Sequence, residues 1–258
     1  MLVSGFALTV LNAKEEETHL FAVGQAGYIL KSSSGQLLGV DLYLSECGER
    51  IEKDIGFKRL LPAIFKPSEL IFDYIIATHA HFDHFDMDAI PDLMSNEKTQ
   101  LYASVGCGQE IEKLDITSER IVYVQQGDTI EAGDYVLEFV SCDHGVAAPD
   151  AVGVVVEVDG KKIYITGDTC LRLDRKEEYI EKGPFDVMIG PINGAYGNLN
   201  EQNYVDLSEA LNPELTIPCH YGMFAAHGGN PGVFIKKMNE QCPNNKYYLM
   251  ALGEGIII

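Results

Sequence analysis

Basic residues are scarce in this sequence. Only 19 lysines and arginines stand against 39 aspartates and glutamates, which gives a formal net charge of −20 at pH 7. A surface of that sign repels the phosphate backbone of DNA and RNA, and it also repels anionic membrane surfaces. The charge therefore argues against nucleic acid and membranes as partners and favours a small-molecule substrate. The excess of acid itself needs no explanation beyond solubility.

Several other features are lacking. No apolar run is long enough to span a bilayer, and no linker rich in proline, glycine and serine divides the 258 residues, so we expect one domain over 1–258. The six cysteines do not suggest a disulfide scaffold in a chain of this length. Cys142, Cys170 and Cys219 are interpreted as packing residues. The apolar N-terminus lacks the basic segment of a signal peptide. We therefore interpret residues 5–12 as a first strand and the cytoplasm as the location.

Short apolar runs alternate with helical patterns along the chain, which is typical of a layered α/β protein. Glycine, proline and asparagine mark the breaks between them. The sequence leaves the oligomeric state open between a monomer and a homo-oligomer. The predicted helices are 88–95, 106–114, 175–182, 200–211 and one beginning at 231. The other predicted strands include 18–24, 27–32, 36–42, 100–103, 120–124, 151–158, 161–166, 185–190, 215–218, 246–250 and 255–258.

A cluster of residues that can bind metal ions follows the apolar run 75–77. Its members His79, His81, Asp83 and His84 lie within six positions. An extended backbone places residues two apart on the same side, so His79 and His81 can converge on one ion. A turn after His81 would bring Asp83 and His84 to a second point beside it. Imidazole and carboxylate ligands together suit zinc, manganese or iron. A solvated loop is the plainer interpretation, but it does not require three histidines around an aspartate.

Three single residues follow later strands in the same way: His144, Asp168 and His220. Each alone is an ordinary strand-end residue. Together with the earlier cluster they complete an ordered set of ligands at one edge of a sheet, as a hydrolytic site with two ions requires. Asp41 ends an earlier strand, and it is either a turn residue or a carboxylate that orients a ligand loop.

This ordered pattern resembles the metallo-β-lactamase superfamily over essentially the whole chain. The resemblance implies an α/β fold of the four-layer αβ/βα sandwich type, with two mixed β-sheets flanked by helices. It also implies two divalent metal ions, zinc or manganese with iron as a third candidate. The implied ligands of the first ion are His79, His81 and His144. Those of the second are Asp83, His84 and His220, with Asp168 bridging the two ions and Asp41 supporting the ligand loop.

Within the superfamily the sequence is most similar to the ascorbate-6-phosphate lactonase branch. The residues that carry this likeness are the segments 24–27, 191–198 and 218–224. Relatives often have a basic residue where this chain has Ala195, and the characterised lactonases are longer. The likeness implies a lactone substrate, with or without a phosphate on its sugar.

The predicted function is therefore that of a metal-dependent hydrolase, lactonase-like or esterase-like, in which water activated by two ions opens a small ester or lactone. Asp83 and Asp168 are the expected catalytic carboxylates, since Asp83 can orient the water or carry a proton and Asp168 sets the separation of the ions. Two alternatives stay open: a phosphodiesterase of a small substrate, and a non-catalytic metal-binding protein that retains the fold. The candidate substrate contacts are Arg172, Asn193, Tyr221 and His227.

Overall fold

Two seven-stranded sheets form the framework of the protein in the computed structural model, which describes residues 3–258. The strands of the first sheet are β1 His19–Gly24, β2 Gly27–Lys31, β3 Leu37–Val40, β4 Tyr74–Ala77, β5 Gln100–Ser104, β6 Ile121–Val124 and, from the end of the chain, β14 Gly255–Ile257. Those of the second sheet are β7 Thr129–Ala132, β8 Tyr135–Ser141, β9 Val152–Val158, β10 Lys161–Ile165, β11 Val187–Pro191, β12 Leu215–Cys219 and β13 Lys246–Tyr247.

Both sheets mix parallel and antiparallel pairing. The spatial order is β14-β1-β2-β3-β4-β5-β6 in the first sheet and β13-β12-β11-β10-β9-β8-β7 in the second. Strands β3 to β6 pair in parallel, as do β10 to β13, whereas the remaining neighbours are antiparallel. Because β8 and β10 both pair antiparallel with β9, they run in the same direction. The carboxyl ends of β8, β10 and β12 therefore lie at one edge of the second sheet.

Apolar side chains from both sheets pack against each other, among them Leu30 and Leu38 from the first and Val154 and Ile163 from the second. The outer faces are covered by helices, so the molecule has four layers. The four-layer α/β sandwich with two mixed sheets is thereby confirmed. The helices are α1 Gly5–Asn12, α2 Cys47–Glu52, α3 Ile90–Leu93, α4 Gly108–Ile111, α5 Lys176–Ile180, α6 Glu201–Leu211 and α7 Pro231–Gln241.

The first strand predicted at residues 5–12 is wrong, because these residues form helix α1. The Ser4 hydroxyl accepts a hydrogen bond from the Ala7 backbone N–H at 3.2 Å and so caps the first turn. Ala7 and Val10, three positions apart, are both fully buried against the outer face of the first sheet. A short apolar run fits a strand or a buried helix equally well, and the packing surface decides between them.

The other predicted elements are present with shifted bounds. The strand predicted at 246–250 shrinks to β13, and the helix predicted at 88–95 shrinks to α3. All six cysteines are free thiols. Of the three interpreted as packing residues, Cys219 is buried, whereas Cys142 and Cys170 are partly exposed. Within residues 3–258, no helix has both the length and the apolar character needed to cross a membrane.

The C-terminus of α1 is held by Lys31, a buried lysine of strand β2. Its ammonium group donates hydrogen bonds to the carbonyl oxygens of Val10, Leu11 and Ala13 at 2.8–3.1 Å. Hydrogen bonds from a charged donor contribute about 1.5–3 kcal/mol, and a cation at a helix C-terminus is also favourable. We expect Lys31→Met to lower the free energy of unfolding by about 2–3 kcal/mol, measured by urea denaturation.

The matched control is Lys14→Met, because the ammonium of Lys14 forms an exposed ion pair with Glu17. Exposed pairs of this kind contribute little to stability. A loss of stability as large in Lys14→Met as in Lys31→Met would contradict the capping role of Lys31.

Candidate metal centre

Ends of strands from both sheets meet at one edge of the sandwich. His79 lies two residues after the end of β4, and His220 comes directly after β12. β8 and β10 run in the same direction, so His144 and Asp168 are presented at the same edge of their sheet. The structure thus brings together all seven predicted ligands, although they come from four separate segments of the chain.

His79, His81 and His144 form the first group. The Nε2 atom of His79 lies 2.9 Å from Nδ1 of His81, and Nε2 of His144 lies 3.2 Å from the same nitrogen. Two ligands of a tetrahedral zinc ion, each bound at about 2.1 Å, lie roughly 3.4 Å apart, so this spacing suits a single ion.

The chemistry of the first group also suits a cation. Burial lowers the pKa of all three imidazoles, that of His144 to about 4. The rings are therefore neutral near pH 7, and their nitrogen lone pairs are available. Neutral imidazole is the form of histidine that binds metals.

The second group combines two histidines with two carboxylates. The Nε2 atom of His220 lies 3.3 Å from Nε2 of His84, and 3.2 Å from Oδ2 of both Asp83 and Asp168. Burial opposes charge on His220, but the neighbouring carboxylates outweigh it and raise its pKa to about 9. Burial likewise opposes charge on Asp83, yet His84 and His220 hold its pKa below the ordinary value. A divalent cation would supply the positive charge that these protons supply otherwise.

Asp168 faces both groups with one oxygen atom. Its Oδ2 lies 3.4 Å from Nε2 of His84 and 3.2 Å from Nε2 of His220 in the second group. The same oxygen lies 3.8 Å from Nε2 of His144 in the first group. This position is the one that a carboxylate shared by two ions would occupy.

The backbone and neighbours of Asp168 fix that position. Gly167 has a φ of +65°, and a Cβ atom there would lie 2.8 Å from the carbonyl oxygen of Val152, so a side chain cannot be accommodated. The amide of Asn198 donates a hydrogen bond to Asp168 Oδ2 at 2.7 Å. The thiol of Cys142 donates to the Asp168 carbonyl oxygen at 3.0 Å. Asp168 is therefore held from both its side chain and its backbone.

Asp41 lies behind the second group and is fully buried. Its Oδ2 is 2.7 Å from Nδ1 of His84, and its two oxygens accept hydrogen bonds from the backbone N–H and the hydroxyl of Thr78 at 2.8 and 2.7 Å. A carboxylate on Nδ1 leaves Nε2 of the same ring free for a metal ion. The φ angles of Asp41 and His220 are +48° and +61°, and such strain in residues other than glycine concentrates at functional sites.

Gln25 belongs to the site although the sequence analysis did not single it out. Its Nε2 donates a hydrogen bond to Asp83 Oδ2 at 2.7 Å and lies 3.0 Å from Nε2 of His220. Its backbone carbonyl also accepts the N–H of His220 at 2.9 Å. The one signal in the sequence was its position in the glycine-bounded segment 24–27. Gln25 thus orients both a carboxylate and a histidine of the second group.

A cavity of about 330 Å³ lies over the two groups. The predicted ligands His81, Asp83, His144, Asp168 and His220 line it, and so do His227 and Tyr196. The ring of His227 stacks on that of His220 with a centroid separation of 4.9 Å. Tyr196, which was not among the predicted contacts, has its ring 5.5 Å from His227.

The other candidate substrate contacts lie elsewhere among the described residues. The guanidinium of Arg172 pairs with Asp143 at 2.5 Å and with Asp174 at 2.7 Å, and Arg172 does not line this cavity. Tyr221 lines a separate cavity, which Gln25 and His220 also line. Asn193 is buried, and neither its side-chain oxygen nor its nitrogen has a hydrogen-bond partner among residues 3–258. The structure therefore brings only His227 of the four candidates into the cavity.

The chain is similar in sequence to known metal-dependent hydrolases. The model of the beta-lactamase superfamily domain matches residues 55–221. A UPF0173 metal-dependent hydrolase of Anaeromyxobacter sp. (strain K) is 27% identical over 233 residues, which cover 85% of this chain and 80% of the relative. Another, from Enterococcus faecalis, is 30% identical over 176 residues, which cover 64% of this chain and 75% of the relative.

Among solved structures, Igni18, a metallo hydrolase from the archaeon Ignicoccus hospitalis, matches with a TM-score of 0.72. The sequence identity is 20%, and the match covers 93% of this chain and 98% of that one. At this level of identity the likeness concerns the fold.

Proposed function

The chain belongs to the beta-lactamase superfamily and to the UPF0173 metal-dependent hydrolases, and we propose that it uses two divalent metal ions to open a small ester or lactone. The observation that carries this proposal is the position of Asp168, whose Oδ2 faces His144 on one side and His84 and His220 on the other. A single carboxylate oxygen between two groups of ligands suits a pair of ions, an established hydrolytic device.

The residues present fit such ions. All donors are nitrogen or oxygen, which suits zinc or manganese, with iron as a third candidate. The residues that would hold the first ion are His79, His81 and His144. Those that would hold the second are Asp83, His84 and His220, and Asp168 would serve both. When bound, the ions lower the pKa of a water molecule to about 7 and polarise the carbonyl group of the substrate.

Asp83 is the residue best placed to transfer a proton from the attacking water to the leaving group. It lines the cavity, and the hydrogen bond from Gln25 fixes its Oδ2. From there it can orient the attacking water, accept its proton and pass that proton to the leaving oxygen. Asp41 acts through His84, since its hydrogen bond to Nδ1 fixes the direction of the ring.

The size of the cavity supports a small substrate. Its volume of about 330 Å³ is near the lower end of the range for small-molecule sites, about 300–1,000 Å³. A compact ester or lactone fits such a space, and the likeness of segments 24–27, 191–198 and 218–224 to the ascorbate-6-phosphate lactonase branch supports a lactone. The cytoplasmic location and the small-molecule partner remain predictions from the sequence.

The test is turnover by protein purified without chelator and loaded with zinc or manganese. Neutral sugar lactones, an aryl ester and a bis-aryl phosphate are compared at equal concentrations. We expect kcat/KM for the best lactone or ester to exceed that for the phosphodiester at least about tenfold, and to vanish on chelation. Metal-dependent phosphodiester cleavage without any lactone or ester turnover would replace this proposal by the phosphodiesterase alternative. No turnover of any substrate with both ions bound would favour the non-catalytic alternative.

A further inference from the structure

The walls of the cavity over the metal centre are largely aromatic and aliphatic. Phe57, Phe82, Tyr196 and Ile51 line it above the ligands. The ring centroid of Phe57 lies 6.0 Å from that of Phe82 and 5.9 Å from that of Tyr196, so the three rings form a continuous surface. Such walls bind the apolar part of a ligand and exclude water from charged groups.

The walls carry charge of one sign. Glu52, the last residue of α2, is exposed and lines the same cavity as His81. Among the described residues that line the cavity, none is a lysine or an arginine. A negatively charged substrate group away from the reacting bond would therefore lie near the Glu52 carboxylate. Apart from the metal ions, no cation in the cavity lining would pair with it.

Arg59 and Arg172 do not supply positive charge to the cavity, because both guanidinium groups are bound to other parts of the protein. The guanidinium of Arg59 donates hydrogen bonds to the backbone carbonyls of Leu61 and Tyr43 at 2.6 and 2.9 Å, and it lies 4.7 Å from the centre of the Tyr43 ring. Arg172 is held by the carboxylates of Asp143 and Asp174. Moving either guanidinium to the cavity would leave buried carbonyls or paired carboxylates without their partners.

We propose that this cavity selects substrates whose aromatic or aliphatic group carries no negative charge, that it rejects substrates with a phosphate or carboxylate away from the reacting bond, and that Glu52 sets this charge preference. The inference rests on the proposed hydrolysis of an ester or lactone and narrows its substrate class. An anion against these walls loses hydration, gains no counter-charge and is repelled by Glu52. A neutral lactone or ester avoids all three costs.

The test measures binding of three benzohydroxamic acids to the metal-loaded protein. The hydroxamate group binds the ions, and a para substituent reaches toward the walls: acetamido (neutral), carboxylate (anionic) or trimethylammonio (cationic). Dissociation constants come from isothermal titration calorimetry at low salt. We expect the carboxylate probe to bind the unmodified protein roughly tenfold more weakly than the acetamido probe, and the cationic probe to bind at least as well as the acetamido probe. Added salt of about 0.5 M should reduce these differences.

Variants of α2 assign the effect to one residue. Glu52→Gln should reduce the ratio of the two dissociation constants about three- to tenfold, and Glu52→Lys should reverse the preference. The matched control is Glu49→Gln, an exposed glutamate of the same helix that does not line the cavity, and it should leave the ratio unchanged. Comparing the ratio between variants cancels the intrinsic acidity of each hydroxamate.

Several results would overturn this inference. These are equal affinities for the neutral and anionic probes, equal ratios in Glu52→Gln and Glu49→Gln, or no binding of any probe to the metal-loaded protein. Because probe binding requires no turnover, the result is independent of the ester and lactone assay. Ester or lactone hydrolysis without charge preference would leave the proposed function standing and remove this inference. Charge-selective binding without hydrolysis would support this inference and contradict the proposed function.

Discussion

Replacing Asp168 by alanine should lower kcat/KM by about a thousandfold or more. Substitution of a residue that only orients a ligand typically costs about 10–100-fold, and Asp168 does more, because its Oδ2 lies within 3.8 Å of ligand nitrogens of both groups. Without it, two cations would face each other without a shared anion. Steady-state kinetics on the metal-loaded variant, with elemental analysis of its metal content, measure the effect.

The control for this prediction is His227→Ala. His227 lines the same cavity and stacks on His220. A ring nitrogen of His227 lies within 4.8 Å of ligand atoms of Asp83 and His220, but His227 is not one of the seven proposed ligands and is assigned to substrate positioning. We expect it to lower kcat/KM about tenfold or less and to retain the metal content of the unmodified protein. Equal losses of kcat/KM in Asp168→Ala and His227→Ala, with the metal content of both variants intact, would count against the bridging role of Asp168.

Removal of the metal ions should lower the melting temperature by about 15 °C or more. Each ion present at about a thousand times its dissociation constant stabilises the folded state by about 4 kcal/mol, so two ions contribute about 8 kcal/mol. For a chain of this size each kcal/mol corresponds to roughly 2–4 °C. The effect arises because chelation leaves the lone pairs of the first group facing each other and leaves buried carboxylates without a cation. Thermal unfolding followed by circular dichroism, before and after chelation and after metal is restored, measures the change.

The number of ions can be read from the same preparations. Elemental analysis of the unmodified protein should approach two equivalents of metal, and that of His84→Ala about one, because His84 is a proposed ligand of the second ion and its Nε2 faces His220 and Asp168. The melting temperature of His84→Ala should respond correspondingly less to chelation. A limit of one equivalent that His84→Ala leaves unchanged would rule out the second ion.

The order of residues along the chain, together with the family resemblance that it carries, was sufficient to predict which seven residues lie together. His79 and His81 lie two positions apart after a strand, and this periodicity places their side chains on one side whatever the rest of the fold does. His144, Asp168 and His220 also follow strands, and the carboxyl ends of strands that run in the same direction meet at one edge. The fold class is confirmed, and the seven ligands lie together as expected. Their binding of metal stays a prediction that the metal analysis will test.

Tertiary structure decided the type of the first element and the position of Arg172, which the local sequence pattern did not predict. The apolar run at 5–12 forms a helix because the outer face of the first sheet takes up Ala7 and Val10, and because Lys31 holds the end of that helix. Arg172 follows a predicted ligand in sequence, yet two nearby carboxylates hold it away from the cavity.

The residues around the substrate cavity depend even more on contacts between segments that are far apart in the sequence. Gln25, Tyr196 and Glu52 reach the metal centre from three separate segments, and none has a spacing that marks it in the sequence. The sequence alone predicted which seven residues lie together, because they follow strands whose ends meet at one edge of the sandwich. Only the tertiary structure determined the cavity walls and their charge, because those depend on which loops lie against one another.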